Sequence, residues 1–205
     1  MKILSEDNDY VCIEKSQKEF VQHSKNAKSQ IQEFADLNKY HIANRLDFAV
    51  GGIVILCKNK TSIKEFQNSL NKKLYLCIVD SVIAVNCCHG TLENFILKNQ
   101  RTNTSKIVQK GTTGSKNAKL NYRVIEVKGN LALLEIELFT GRHHQIRVQM
   151  SNFGFPIYGD KKYTGTKGKE LGLWSYKYEF FSGKSFRSIP NFYPFNLFNM
   201  HNPEL

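Results

Sequence analysis

Apolar residues along this chain fall into short patterned runs separated by polar stretches. The segment "DYVCIEKSQKEFVQHS", from residue 9, alternates well enough to predict one or two short strands. Residues 24 to 43 are polar, but Ile31, Phe34 and Leu37 recur at helical spacing. "GIVILCK", from residue 52, is a continuous apolar run, as expected of a strand covered on both faces. In "NKTSIKEFQNSLNKK", Ser62 and Glu65 have the spacing of a capping box, and Ile63, Phe66 and Leu70 form one helical face.

Further along, "KLYLCIVDSVIAVNCC" predicts two strands around Asp80 and Ser81. "AKLNYRVIEVKGNLALLEIELF" reads as a hairpin turning at Lys128, Gly129 and Asn130, with Ala132, Leu134, Ile136 and Leu138 on one side. "TGRHHQIRVQMSNFG" then predicts a tight turn and a helix, with Ile146, Met150 and Phe153 on one face and Gly154 as its stop. Near the C-terminus, Trp174, Tyr176, Tyr178, Phe180 and Phe181 lie in a strand-like stretch. No internal repeat and no linker divides the chain.

Composition narrows the class. A chain of 205 residues can bury a substantial core. Lys and Arg number 29 against 18 acidic residues, a formal charge of +11, which favours an anionic partner such as nucleic acid. Between 98 and 128 the bias sharpens to eight basic residues against the single acid Glu126, the best local candidate for a phosphate-tracking surface. The five cysteines (Cys12, Cys57, Cys77, Cys87, Cys88) are odd in number and lack C-x-x-C spacing, so buried reduced thiols are expected. With neither a leader-like start nor an apolar run near the roughly 20 residues of a membrane helix, the expectation is a cytoplasmic protein with no membrane partner.

Metal chemistry is poorly served. His143 and His144 are adjacent, so on a helix they point about 100° apart and make no two-ligand clamp. "CCH" at 87 to 89 alternates across a strand. Gly51 and Gly52 fit neither the dinucleotide fingerprint nor the P-loop.

Three strings occur in a telling order. "RLD" at 45 to 47 precedes a glycine-containing turn and an apolar strand; "KLYLCIV" follows; then comes "LEIELFTGRHHQIRVQMSNFGFPIYGDKKYTG". Together they resemble the RluA-type RNA pseudouridine synthases across nearly the whole chain, and "TGRHHQIR" followed by G-x-P-I-x-G-D-x-x-Y is the most specific part. The opening "ILSEDNDYVCIEKS" is similar to that family's first strands, without its usual Lys-Pro pair. The resemblance implies a mixed α/β (α+β) fold, with a large, mainly antiparallel sheet in two subdomains around a central active-site cleft. It also implies one catalytic domain over 1–205, without the small N-terminal RNA-binding module of some members.

The implied reaction converts a uridine in ribosomal or transfer RNA to pseudouridine, with no metal and no other cofactor. Asp47 is implied as the carboxylate that acts as covalent nucleophile or as base toward the sugar. A pocket raises a carboxyl pKa by desolvation, and a nearby cation reverses the shift by about 1–3 units; Arg147 is the implied cation. Tyr75 is implied to stack on the target base and to be a candidate for moving the proton at carbon 5. Arg45 is implied to fill the space left by the flipped base. Arg142, Lys73, Lys116 and Lys119 are the remaining expected RNA contacts, and a monomer would suffice.

The chain departs from the family pattern around the acid. Asn44 stands where His is common, Val50, Gly51 and Gly52 replace Thr-Ser-Gly, Phe48 replaces what is often a basic residue, and a Gln stands at the place of a later His. Gly51 is expected to loosen the loop beside Asp47. A non-catalytic RNA-binding or ribosome-assembly protein on the same fold is therefore the alternative reading, and a zinc enzyme using Cys and His a third.

Overall fold

The computed structural model describes residues 1–23, 27–80, 88–165 and 168–200. Its strands and helices divide into two units, one formed by 1–73 with 174–190 and the other by 74–173 with 191–205.

In the first unit, β1 (Lys2–Glu6), β2 (Tyr10–Lys15) and β4 (Gly51–Cys57) pair antiparallel in sequence, and the two-residue β3 (His41–Ile42) adds to β4. β10 (Leu173–Phe180) runs parallel to β4, with Trp174 opposite Gly51 and Ser175 opposite Gly52, and β11 (Ser185–Arg187) folds back on β10. Every residue of β4 is buried, as its unbroken apolar run predicts. One of its faces packs on α1 (Gln30–Leu37) through Ile31 and Ala35; the other packs on Tyr10, Phe66 and the aromatics of β10.

Both helices of this unit differ in detail from the sequence pattern. In α1 the inward face is Ile31 and Ala35 with Phe34 partly covered, while Leu37, on the last turn, is 84% exposed. The helix α2 (Lys60–Ser69) begins earlier than Ser62: Asn59 is the cap, its side chain accepting the Ser62 N–H at 2.8 Å. Ser62 is instead buried, its hydroxyl bonded to Asn59 and Asp9. An Asn side chain caps as well as Ser does, and sequence spacing alone does not choose between neighbouring candidates.

The second unit is an antiparallel sheet in which β5 (Leu70–Asp80), β9 (Leu131–Leu138), β8 (Lys116–Lys128), β6 (His89–Asn99) and β7 (Thr104–Val108) follow one another across the ladder. β5 crosses from the first unit at Lys73, and β10 returns to it at Trp174. The predicted β8–β9 hairpin forms, with Lys128 opposite Leu131 and Gly129 at φ 58° in the turn. The predicted strand after Asp80 lies in residues 81–87, outside the described residues. Across the sheet packs α3 (Gln145–Phe153), with Val148 against Ile96 and Ala118, and it stops at Gly154, whose φ of 96° suits glycine. Phe181 falls just beyond β10 and is 72% exposed.

Cys12, Cys57 and Cys77 are buried on β2, β4 and β5, where burial raises each thiol pKa and keeps it protonated. Cys88, expected to be buried, is exposed just ahead of β6, and Cys87 lies outside the described residues. Among the described residues no helix is long and apolar enough to cross a membrane.

Candidate functional site

Asp47 sits on a turn whose geometry follows from the residues on either side. Asn44 ties the approach to β4, donating to Ile53 O at 3.1 Å and to the Tyr178 hydroxyl at 2.9 Å while accepting the Ile55 N–H at 2.7 Å. The residue that replaces a family His therefore uses all three of these bonds to anchor the loop. Leu46 packs inward against the α1 cluster, Arg45 and Phe48 are exposed on either side, and Asp47 between them is half-buried. The turn closes when Val50 N–H donates to Asp47 O at 3.0 Å.

Lys15 braces this turn, and sequence reasoning missed it. At the end of β2 it is fully buried, and its ammonium donates to Val50 O at 2.7 Å, Ser16 O at 2.8 Å and Phe48 O at 3.4 Å. Three donors meet three carbonyls, the arrangement a buried ammonium needs. Desolvation pushes its pKa down to about 8, opposed by the carboxylates of Glu19 and Asp47. Attraction between opposite charges is reciprocal, so the same lysine favours the charged form of Asp47. Its mark in the sequence is a lysine closing the apolar run "YVCIEK".

Gly51 does not loosen the loop as expected. It begins β4 beneath the Trp174 indole, and a Cβ built on it would run into that ring. A Cβ on Gly52, at φ 114°, would meet the Ser175 carbonyl. The small residues let β4 lie close against β10, and the indole occupies the room a side chain at 51 would take.

In the second unit the expected residues Tyr75, Arg142, Arg147, Lys116 and Lys119 fall on β5, β8 and the α3 region. Tyr75 is largely buried in β5, opposite Ile136 of β9. Arg147, in the first turn of α3, is buried and forms a bidentate pair with Asp160, Nε to Oδ2 at 2.8 Å and Nη2 to Oδ1 at 2.7 Å. Its guanidinium also lies over the Tyr163 ring, 5.2 Å from the centroid. Asp160 and Tyr163 are the D and Y of the G-D-x-x-Y string, so that spacing encodes the seat of the arginine, a role the string alone did not reveal.

The two histidines precede α3 rather than lying on it. Their rings stack at 3.9 Å, and His144 takes a left-handed φ of 53°. Tyr163 accepts the Ser105 N–H at 2.7 Å, and its hydroxyl is hydrogen-bonded to His144 Nδ1, 2.8 Å away. Burial, helped by the charge of Arg147, pushes the His144 pKa down to about 2 and keeps the ring neutral. Among the described residues no group of three or more His, Cys, Asp or Glu side chains is placed to hold a metal ion.

Arg142 is tethered to β8, its Nε donating to Asn117 O at 2.8 Å, and Gln145 bonds both Lys119 O and the Arg142 N–H. The structure thus brings Arg142 beside the strand that carries Lys116 and Lys119. Lys119 lies 5.5 Å from the centroid of the exposed Phe139 ring. Lys73 and Arg45 belong to the other unit with Asp47; Lys73 is half-buried, and burial lowers its pKa.

Comparison with known proteins bears on this arrangement. Human RNA Pseudouridylate Synthase Domain Containing 1 superposes with a TM-score of 0.74 at 19% identity, covering 94% of this chain and 84% of that one, a likeness of fold. Human RNA Pseudouridylate Synthase Domain Containing 4 gives 0.74 at 20% identity, with 96% and 91% covered. In sequence, ribosomal large subunit pseudouridine synthase D of Borreliella burgdorferi is 33% identical over 162 residues, which are 75% of this chain and 48% of that protein. YlyB of Bacillus subtilis, an uncharacterized RNA pseudouridine synthase, is 33% identical over 126 residues, 60% of this chain and 40% of its own length. The chain thus spans about half or less of the length of these curated relatives. The family model for RNA pseudouridylate synthase matches residues 9–152, a stretch that includes Lys15, Asp47, Tyr75, Arg142 and Arg147. This chain belongs to the RNA pseudouridylate synthase family.

Proposed function

We propose that the chain isomerises a specific uridine in RNA to pseudouridine, with Asp47 as the acting carboxylate. The reaction breaks the bond between N1 of uracil and the sugar, turns the base, joins carbon 5 to the sugar, moves the carbon-5 proton away and leaves a proton on N1. Atoms and charge balance without an oxidant. Asp47 acts as nucleophile or as base toward the sugar. Lys15 supports its charged form, and Arg147 is the second cation in this reading: a guanidinium has five N–H donors, so a bidentate pair with Asp160 is compatible with another carboxylate partner.

Tyr75 stacks on the target base and is the candidate to handle the carbon-5 proton. Arg45, exposed beside Asp47, fills the space the flipped base vacates. Flipping costs a few kcal/mol, offset by phosphate contacts from Lys73, Lys116, Lys119 and Arg142. Ribosomal RNA is the substrate to test first, because the Borreliella relative is named for the ribosomal large subunit; transfer RNA is the other class. Action in the cytoplasm as a monomer belongs to the same proposal.

The observation that carries this reading is the braced turn: a half-buried aspartate held at a fixed point by a fully buried lysine bonded to two carbonyls of the same loop. Mapping pseudouridine in host ribosomal and transfer RNA with and without the gene tests it. One or a few positions should lose the modification when the gene is removed and regain it when the wild-type chain is restored. An unchanged map refutes the proposal.

A further inference from the structure

Phe48, the residue after Asp47, has a fixed backbone and an exposed side chain. Its carbonyl accepts the Lys18 N–H at 2.8 Å as well as the Lys15 ammonium, yet 45% of the residue remains exposed. Its ring meets that of Phe20 with centroids 4.5 Å apart and planes inclined by 37°. Phe20, itself only partly covered, comes from the segment after β2 that folds back over the Asp47 turn. Nearby, Arg45 reaches across to Gln22 of that segment at 3.3 Å, placing a cation at the edge of the same surface. Two partly exposed phenylalanines side by side leave apolar area uncovered next to the turn that carries Asp47.

We infer that Phe20 and Phe48 form a stacking platform for an unpaired nucleobase adjacent to the target uridine. The inference rests on the reading of Asp47 as the group that acts on that uridine. A phenyl ring has no hydrogen-bonding group, so it accepts the π-face of any base, and Arg45 at the edge of the same surface keeps the place already given it in the vacated stack. The chain's charge of +11 favours a polyanion over an apolar protein surface as the occupant. Where the family often has a basic residue, this chain has an aromatic one, a side chain suited to a base face rather than to a phosphate. The platform holds the flanking nucleotide whatever its base, whereas Asp47 performs the chemistry on the uridine beside it.

The test uses the full chain and synthetic RNA stem-loops carrying a loop uridine with 2-aminopurine on its 5′ or its 3′ side. Wild-type protein should quench the fluorescence at one of the two flanks. Phe48→Ala should abolish that quenching and weaken binding about tenfold, the size of one lost base stack. Phe48→Trp should restore both, and Phe48→Leu should restore neither. When the quenched position is made abasic, wild type and Phe48→Ala should bind alike.

Quenching at neither flank by wild type, rescue by leucine, or a binding deficit that persists on the abasic RNA would each overturn the platform; the last two would make Phe48 a packing residue. Failure of the proposed function would register separately, as an unchanged pseudouridine map despite Phe48-dependent quenching.

Discussion

The two sites that hold the key charges, the Asp47 turn and the Arg147 seat, are built on opposite plans. Asp47 is held through its backbone: Val50 closes the turn, Asn44 fixes its approach, and one lysine gathers the carbonyls of Ser16, Phe48 and Val50. Arg147 is held through its side chain, by a bidentate carboxylate and an aromatic face, within a chain of bonds through Tyr163, Ser105 and His144. The first plan fixes the residue through its main chain, because the brace grips the loop. The second aims a buried cation, because the brace grips the charged group itself.

If that contrast is right, the two sites break differently. Asp160→Ala leaves a guanidinium buried without its carboxylate, which costs about 3–5 kcal/mol in cases of this kind. Denaturant unfolding should show that loss; a loss under 1 kcal/mol would mean that Asp160 is not the main holder of Arg147. Gly51→Ser puts a side chain where the Trp174 ring lies, and overpacking of this sort costs about 1–3 kcal/mol. Adding Trp174→Ala to Gly51→Ser should return part of that loss, and strict additivity of the two costs would refute the close fit.

Lys15→Met should leave a folded protein whose modification rate falls at least tenfold, since the loop carbonyls lose their donor while the carboxylate remains. A pH signature accompanies it. In the folded chain burial holds the Lys15 pKa near 8 against an ordinary 10.5, so between those values the unfolded chain binds more protons and stability rises with pH. That rise should be smaller in Lys15→Met. Equal slopes in both proteins would contradict a charged lysine buried under the turn.

The parts of the fold legible in the sequence were those with strong local periodicity: the buried run of β4, the β8–β9 hairpin and the Gly154 stop of α3. Leu37 and Ser62 misled because one hydrophobic residue at the right spacing, or one capping residue among several, is a weak signal that packing overrides. Motif order alone points to Asp47, Tyr75 and Arg147 as candidates. The partners that hold them could not: Lys15 is 32 residues before Asp47, and Asp160 is 13 after Arg147. Gly51 was legible only as a gap, because the indole that fills it comes from a strand more than a hundred residues later.

The most direct test of the account is single-turnover tritium release from RNA labelled at carbon 5 of uridine, taken from the host lacking this gene, with wild type and Asp47→Asn compared at saturating protein. Asparagine keeps the size and neutral hydrogen bonding of the side chain but removes the charge. Wild type should release the label at its modification site, and Asp47→Asn should still bind the RNA while releasing none. Release by the variant at the wild-type rate would contradict the claim that this carboxylate does the chemistry.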